Sequence, residues 1–488
     1  MQTEVLDAGL LSSFDEEVDV LVIGMGVAGA CTALSAVEAG ARTLIVERAG
    51  GGGGTSAMSG GVVYLGGGTP LQKACGFEDT PEAMFDYLRA SVGRAPDEEK
   101  LRLYCEGAVE HYEWLVAQGV PFKQTFYYGT SGEPPTDDGL VWSGSEQVAP
   151  FCDIARPAPR GHVPAVPGAA GHKLMSVLCK AVEESAAQVA YNTICNALYQ
   201  ERDGRIVGAR LESFGESRTI RAHGGVVLTT GGFVLNDSML DAYRPEARRC
   251  KMRVAADGDE GSGIRLGMQA GAGTRHLDKV SVSMPITQPW DLKSGLLVNA
   301  QGQRFINEDA YYGRLGDYAL LRNDGRCWLI VDDDIYVKPE LEFSLAAVGE
   351  TPAELESEIG LPEGSLVATI ELFNRHAANG EDPVFHKRAP YLKPLTKPPF
   401  GAIDCTVEEG LYAVFTLGGL ASDPDGHVLD PEGRVIPGLY AAGRATSGLA
   451  VGGYSSGLSL GDGSFFGRRA GRAAALHARE EARASAGE

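Results

Sequence analysis

The amino-acid sequence predicts an α/β protein built on a Rossmann-type dinucleotide-binding domain, which is discontinuous in the chain and interrupted by an inserted second domain of α+β type. Three observations carry this prediction. A glycine turn lies between two apolar, β-branched segments within residues 18–47. Two further apolar segments, at 224–232 and 438–443, also run into glycine turns. Residues 273–395 differ in texture, with short strand-like segments separated by turns, which is typical of a separate folding unit.

The first element is a strand, a helix and a second strand. Residues 18–23 are a β-branched apolar run bounded by acidic residues, which predicts a buried parallel strand. The turn Gly24–Gly29 follows, small residues at 30–39 predict a helix, and a second strand at Thr43–Val46 ends in Glu47. Such glycines let the backbone approach a pyrophosphate at the helix N-terminus, while the terminal acid accepts hydrogen bonds from ribose hydroxyls. The unit therefore predicts a dinucleotide site.

A glycine-rich loop at residues 50–61 comes directly after this unit. It is too rich in glycine to pack a core of its own, and a flexible linker is one interpretation. Its hydroxyl side chains and unhindered N–H groups suit a second contact with the diphosphate and the ring system of a cofactor. We therefore expect this loop to touch the cofactor.

The rest of the chain supplies further strands and one segment without a clear role. Residues 188–206 predict two short strands that flank Asn196-Ala197. Residues 125–167 are polar, rich in proline and glycine, and without periodicity, so the sequence assigns them no function. The predicted division of the chain is a first part of the nucleotide domain at 1–272, an inserted second domain at 273–395 and a second part of the nucleotide domain at 396–488.

Composition excludes several classes of partner. The 488 residues carry a formal net charge of −22, which repels phosphate backbones and anionic lipid headgroups, so we predict neither nucleic acid nor membrane binding. The acidic N-terminal residues lack the basic start and apolar run of a secretory signal, and no apolar stretch approaches the roughly 20 residues of a spanning helix. The nine cysteines form no C-x-x-C pair. These features predict a cytoplasmic protein with reduced thiols and no metal site.

The order of motifs along nearly the whole chain resembles the fumarate reductase and 3-ketosteroid dehydrogenase family of flavoproteins. The motifs are Gly24–Gly29, Gly50–Gly61, Thr229–Gly232, Gly258–Gly263, Gly302–Glu308, Thr416–Leu420 and Gly438–Gly443. The resemblance implies FAD held non-covalently, with the inserted domain as a cap over the flavin. The cofactor contacts that it implies are Gly24, Gly26, Val27, Ala28, Gly29, Glu47, Arg48, Thr55, Ser56, Ser59, Gly60, Gly61, Ala197, Thr230, Gly231, Gly443, Arg444, Ser459 and Leu460.

Departures from the fumarate reductase pattern point to the substrate. A histidine of those enzymes falls on Phe415, and two arginines fall on Tyr312 and Tyr454. A dianion among these aromatic side chains would lose its ion pairs, so a neutral, apolar ketone fits better. The cap tyrosine with the Tyr454-x-Ser456 arrangement resembles the Δ4-(5α) branch of the 3-ketosteroid dehydrogenases. The resemblance implies catalytic roles for Tyr311, Tyr312, Tyr454 and Ser456, and substrate contacts at Phe415, Gly452 and Gly457.

Dehydrogenation beside a ketone requires removal of a proton α to the carbonyl and of a hydride from the β carbon. No histidine or carboxylate falls on the catalytic points, so a Tyr/Ser hydroxyl relay is the predicted base. The alternatives are a 3-ketosteroid Δ1-dehydrogenase, a reductase of an unsaturated acid of the fumarate or urocanate type, and a non-catalytic FAD protein in which the tyrosines only pack. The sequence identifies neither the direction of the reaction nor the electron acceptor, and it replaces the acid that usually follows the Gly443 turn by Arg444.

Overall fold

The computed structural model describes residues 3–129 and 133–486, and side chains as far as residue 484. Its largest element is a sheet of nine strands that contains the predicted strand–helix–strand unit. Parallel pairing places Val226–Leu228 between Val20–Ile23 and Leu439–Ala441. The strands, in spatial order, are Glu4–Asp7, Ile194–Gln200, Ile206–Ser213, Glu216–Leu228, Glu16–Ile23, Thr43–Val46 and Gln188–Ala190, with Val435–Ala441 and His427–Leu429 added beside Glu216–Leu228.

Two helices cover one face of this sheet. The helix Val27–Glu38 is buried along most of its length and packs against the long helix Leu458–Ala486. Glycine at 471 permits the close approach, because a Cβ atom there would collide with the carbonyl oxygen of Thr32. The Thr32 hydroxyl in turn donates to the carbonyl oxygen of Gly467 over 3.0 Å. The last segment of the chain therefore packs on the first strand–helix–strand unit, which supports the proposal of a discontinuous nucleotide domain.

The inserted domain has its own sheet of four antiparallel strands, Leu296–Asn299, Cys327–Asp332, Leu345–Gly349 and Phe400–Asp404. The helices Tyr312–Asn323, Pro352–Glu358 and Ser365–Ala377 belong to the same part of the chain. The strand Phe400–Asp404 lies beyond residue 395 and pairs with Cys327–Asp332. We therefore propose that the inserted domain ends after Asp404 rather than at 395.

Three small sheets complete the fold, and the first two pair strands of the inserted domain with strands outside it. One consists of Met252–Arg253, Ala413–Thr416 and Val280–Ser283, in which Phe415 pairs with Ser281. A second joins Thr274–Arg275 to Gly419–Leu420, and a third joins Val63–Tyr64, Gly161–His162 and Leu140–Val141. The remaining helices are Gly54–Met58, Pro70–Ala74, Pro81–Ser91, Glu98–Ala117, Phe151–Ile154, Gly171–Glu184, Asp237–Tyr243 and Ser262–Gln269, with short 3₁₀ turns at Ala8–Leu10, Pro245–Arg249, Trp290–Ser294, Ala389–Tyr391 and Gly443–Ala445.

The α/β architecture with a Rossmann-type nucleotide domain confirms the predicted fold class. One local prediction was wrong. The chain breaks between Ala190 and Ile194, where Asn192 adopts a φ of 52°, and a single strand then continues through Asn196-Ala197. A register shift between Cys195 and Ala197 absorbs the irregularity without ending the strand. Within the described ranges, no helix combines the length and apolar composition needed to cross a lipid bilayer.

Candidate active site

A cavity of about 570 Å³ lies at the carboxyl ends of the central strands and reaches the cap. Residues at one part of its wall come from the glycine turn Gly24–Ala28, from Glu47 and from the loop 54–61. The cap residues Tyr311 and Tyr312 line the same space. Ligands of open α/β sheets bind at these strand ends, so the cavity has the position expected of a cofactor site next to a substrate site.

Backbone geometry explains the glycine turn. Gly24 has a φ of 100°, and a Cβ atom there would lie 2.7 Å from the carbonyl oxygen of Thr229. Gly26 differs, because a Cβ atom there would make only ordinary contacts, the nearest with Ser56 Oγ at 3.5 Å. Gly24 is therefore required by the fold, and Gly26 keeps the cavity wall open at the start of the helix Val27–Glu38.

Glu47 is buried at the end of its strand and is held by the turn that it faces. Its Oε2 accepts the N–H of Met25 at 2.8 Å, and its Oε1 accepts the N–H of Ala49 at 2.9 Å. Each oxygen keeps a second lone pair, and the residue lines the cavity. The carboxylate is thus fixed in orientation and can still accept hydrogen bonds from ribose hydroxyls.

Several features of the cavity fit an anionic dinucleotide. The N-terminus of the helix Val27–Glu38 opens onto it, which favours a pyrophosphate. The buried hydroxyl of Thr230 lines the cavity and has no hydrogen-bond partner among the described residues. Arg444 also lines it and forms an ion pair with buried Asp259, with 3.0 Å between Nη1 and Oδ2. The unpartnered Thr230 hydroxyl and the positive helix end suit FAD.

Most of the cofactor and substrate residues predicted from the sequence lie around this cavity, and three do not. Gly29 packs the helix against the turn, since a Cβ atom there would collide with the Gly24 carbonyl oxygen. Ala197 is buried inside its strand, where it pairs with Glu4 and Arg210. Gly452 has a φ of 128° and sits beside Lys279. The predicted residues that line the cavity are Gly24, Gly26, Val27, Ala28, Glu47, Arg48, Thr55, Ser56, Ser59, Gly60, Gly61, Thr230, Gly231, Tyr311, Tyr312, Phe415, Gly443, Arg444, Tyr454, Ser456, Gly457, Ser459 and Leu460.

Hydroxyl groups of the cap and of the C-terminal glycine segment, Gly452–Gly457, lie close together in the cavity. The oxygen atoms of Tyr312 and Ser456 are 3.3 Å apart. The ring centroids of Tyr311 and Tyr312 are 4.3 Å apart. On the other wall, the Tyr454 hydroxyl accepts the N–H of Ser459 at 3.0 Å, near the start of the helix Leu458–Ala486. The site therefore combines three tyrosines and a serine from two domains.

Burial controls the ionisation of these tyrosines. It raises the pKa of Tyr312, which hydrogen bonds with Ser456 and Tyr311 partly oppose. Burial likewise raises the pKa of Tyr454, and the hydrogen bond from Ser459 acts in the opposite direction. The pKa of Tyr311 lies well above its ordinary value for the same reason. All three side chains are therefore neutral hydroxyls near pH 7.

Apolar neighbours complete this end of the cavity. The rings of Phe415 and Tyr454 lie edge to face, with 5.1 Å between centroids. The Arg444 guanidinium is 5.9 Å from the Phe415 ring, and Asp259 neutralises its charge. An arginine already paired with a carboxylate is a poor partner for a carboxylate substrate. The surroundings of the hydroxyls therefore suit a neutral molecule.

The sequence interpretation missed part of the lining. Glu133 comes from the unassigned stretch 125–167 and faces Gly60, and its carboxylate raises the pKa of Tyr312 slightly. No motif marked it, because the segment has no periodicity and its neighbours are distant in sequence. The sequence interpretation recognised the Gly258–Gly263 motif but did not assign Asp257 or Asp259 to the cavity, which both residues line. The other missed residues include Thr193, Ile194, Cys195, Met252, Ser283, Pro285, Gln288 and Leu411.

The nucleotide cleft and the adjoining hydroxyl groups define a flavin-dependent oxidoreductase. The chain belongs to the FAD binding domain family, whose model matches residues 19–460. This result confirms the resemblance drawn from the sequence and identifies the cofactor as FAD.

Individual relatives span nearly the whole chain. It is 28% identical over 506 residues to a 3-oxo-5-alpha-steroid 4-dehydrogenase of Comamonas testosteroni, covering 90% of this chain and 95% of that one. The crystal structure of 3-ketosteroid-delta4-(5alpha)-dehydrogenase from Rhodococcus jostii RHA1 with 4-androstene-3,17-dione matches with 43% identity and a TM-score of 0.92, covering 97% and 99% of the two chains. A probable fumarate reductase of Shewanella frigidimarina is 28% identical over 481 residues, covering 95% of this chain and 76% of that one.

Proposed function

We propose that this protein is an FAD-dependent dehydrogenase that introduces a C=C bond beside the ketone of a 3-ketosteroid, of the Δ4-(5α) type. The observation that carries the proposal is the cluster of neutral hydroxyls, Tyr312, Ser456 and Tyr454, within the cavity that holds the FAD site. Similarity to the Rhodococcus jostii protein supports the same substrate class. The steroid assignment rests on both.

Each hydroxyl has a proposed task. The FAD isoalloxazine ring, when bound, accepts the hydride from the β carbon. The Tyr454 hydroxyl oxygen accepts a hydrogen bond from the N–H of Ser459 at 3.0 Å. Such a hydrogen bond stabilises a phenolate oxygen. The oxygen atoms of Tyr312 and Ser456 lie 3.3 Å apart, so the α proton passes between these hydroxyls to a phenolate oxygen of the relay, which becomes a neutral phenol. We therefore assign removal of the proton α to the ketone to these side chains, with Tyr311 as their buried neighbour.

The charged groups of the site argue against the alternative of an unsaturated-acid reductase. Such an enzyme needs unpaired cations to hold a carboxylate substrate. Arg444 is bound to Asp259, and Glu133 adds negative charge to the cavity. These groups favour a neutral ketone over a dicarboxylate. We propose in addition that FAD is bound without a covalent link, that the protein is cytoplasmic, and that its electron acceptor is a separate, unidentified molecule.

A comparison of two rates tests this substrate class. A 5α-saturated 3-ketosteroid is expected to reduce the bound flavin at least 100-fold faster than fumarate reoxidises the reduced protein, since Arg444, the arginine beside Phe415, is already paired with Asp259. Both rates are measured anaerobically by flavin absorbance. Rapid fumarate turnover contradicts the steroid assignment, and a Δ1 product assigns the protein to the 1-dehydrogenase type.

The pH dependence of flavin reduction tests the hydroxyl relay. Burial raises the pKa of Tyr312 and Tyr454 above 10.0, so only a small deprotonated fraction exists at pH 7, and this fraction grows with pH. The rate is expected to rise by about tenfold per pH unit between pH 7 and 9 if an ionised relay is required. Nearby Glu133 and Arg444 shift this profile in opposite directions. A plateau with an apparent pKa between about 5 and 8 points instead to a histidine or a carboxylate as the base.

A further inference from the structure

A short buried segment, Ser143–Gln147, lies between the two domains within the stretch 125–167. The Ser145 hydroxyl accepts the N–H of Tyr311 at 3.1 Å. The N–H of Ser145 donates to the Tyr87 hydroxyl at 2.9 Å, and that hydroxyl is 2.9 Å from Ser455 Oγ. Ser145 therefore bonds to the cap directly and, through Tyr87, to the C-terminal glycine segment.

Backbone contacts on both sides of Ser145 strengthen the connection. The carbonyl oxygen of Ser143 accepts the N–H of Ser456 at 2.7 Å. Four residues beyond Ser145, the carbonyl oxygen of Ala149 accepts from the Asn307 side chain of the cap at 3.1 Å. The segment thus holds the backbones of both chain segments that carry the proposed relay.

The segment itself is held firmly. The Glu146 carboxylate accepts the N–H of Gly144 at 2.9 Å and the hydroxyl of Tyr64 at 3.1 Å. The Tyr87 ring faces the guanidinium of fully buried Arg160 at 5.4 Å. Buried hydrogen-bond networks of this kind restrict movement, so the segment is a fixed reference for the cap.

We propose that Ser145 is a positioning residue that sets the separation of Tyr312 from Ser456 by fastening the cap at Tyr311 to the Tyr87–Ser455 pair. The inference rests on the proposed function, in which these hydroxyls move the proton. The Tyr312 to Ser456 distance of 3.3 Å is longer than the roughly 2.5–3.0 Å of an ordinary O–H···O bond. A small displacement of the cap backbone is therefore enough to break it.

The contact is tested without any substrate by comparing Ser145→Ala with Ser143→Ala in the FAD-loaded protein. Both replacements remove one buried serine hydroxyl, but the Ser143 hydroxyl has no hydrogen-bond partner within the described part of the chain. In S145A the Tyr311 amide is expected to exchange with deuterium about tenfold faster, because it has lost its acceptor. In S143A the exchange stays at the parent rate. Unchanged exchange in S145A overturns the proposal.

The consequence for the relay is measured by anaerobic flavin reduction with a 3-ketosteroid deuterated at C4. S145A is expected to react about 10- to 100-fold more slowly, with unchanged half-saturation and a larger isotope effect. A loss of fold alone lowers the active fraction and leaves the isotope effect unchanged. Tyr87→Phe removes the acceptor of the Ser145 N–H and is expected to give the same slower reduction and larger isotope effect. This variant tests the positioning role if S145A does not fold.

Two results separate this proposal from the proposed function. If the parent protein is not reduced by the ketone, the proposed function fails, and the exchange experiment still decides whether Ser145 fastens the cap. If the parent is reduced and both S145A and Y87F match its rate and isotope effect, the positioning role is wrong while the function stands. S143A at the parent rate supports the assignment to Ser145, and an equal loss in S143A contradicts it.

Discussion

Replacing Gly26 by valine is expected to give a folded protein that contains no FAD. A Cβ atom at Gly26 would lie 3.5 Å from Ser56 Oγ, which is ordinary contact, and the φ of −78° suits any residue. The fold therefore tolerates the side chain, whereas its branch methyls occupy the space into which the pyrophosphate must come. The measurement is the flavin content of the purified protein, with thermal unfolding as the check on folding.

The same replacement at Gly51 is the matched control, because this glycine is exposed and a Cβ atom there meets nothing within 4 Å. Gly51→Val is expected to remain yellow. The parent protein is expected to release intact FAD on denaturation, as non-covalent binding requires. A G26V protein with full FAD content, or flavin that stays attached to peptide, contradicts the description of this site.

Removal of single relay hydroxyls is expected to slow flavin reduction by about 10²- to 10⁴-fold while FAD stays bound. The changes are Tyr454→Phe, Ser456→Ala and Tyr312→Phe, each of which removes a hydroxyl from the cavity and leaves the pyrophosphate site intact. Because Tyr312 and Ser456 are in direct contact, their double replacement is expected to cost less than the product of the single effects. Anaerobic stopped-flow reduction measures all four rates.

Tyr128→Phe controls for the chemical change, since the Tyr128 side chain is 90% exposed and lies outside the cavity. It is expected to react at the parent rate. Tyr454→Phe also removes the acceptor of the Ser459 N–H, so its thermal stability is compared with that of the parent. If all three relay variants reduce their flavin at the parent rate, these residues only pack, and the base lies elsewhere.

The fold of the nucleotide-binding part could be predicted from local sequence patterns. A β-branched run, a glycine turn and a terminal acid specify one strand–helix–strand unit because each depends on neighbours within about 30 residues. The sequence also predicted Tyr312, Tyr454 and Ser456 as catalytic residues through their places in family motifs, and the structure places all three on the cavity wall. The contact between Tyr312 and Ser456 across the domain interface could not be predicted from sequence spacing, because the two residues are 144 positions apart.

Other features depend on contacts that no local pattern encodes. The strand Phe400–Asp404 joins the cap sheet by pairing with Cys327–Asp332, and the proline-rich segment before it suggested an earlier boundary. Glu133 and Ser145 belong to a stretch without periodicity, where only the three-dimensional structure identifies neighbours. Ala197 looked like a break between strands, but a register shift keeps its strand continuous. Sequence patterns predicted elements and motifs here, while pairing between distant segments determined the rest.

The most direct test of the central claim is the anaerobic addition of a 5α-saturated 3-ketosteroid to the oxidised, FAD-loaded protein, with the flavin absorbance recorded and the steroid product analysed. The account predicts that the flavin absorbance bleaches and that the product carries a double bond between C4 and C5, beside the ketone. An oxidised flavin spectrum that stays unchanged, with the steroid recovered intact, would contradict it.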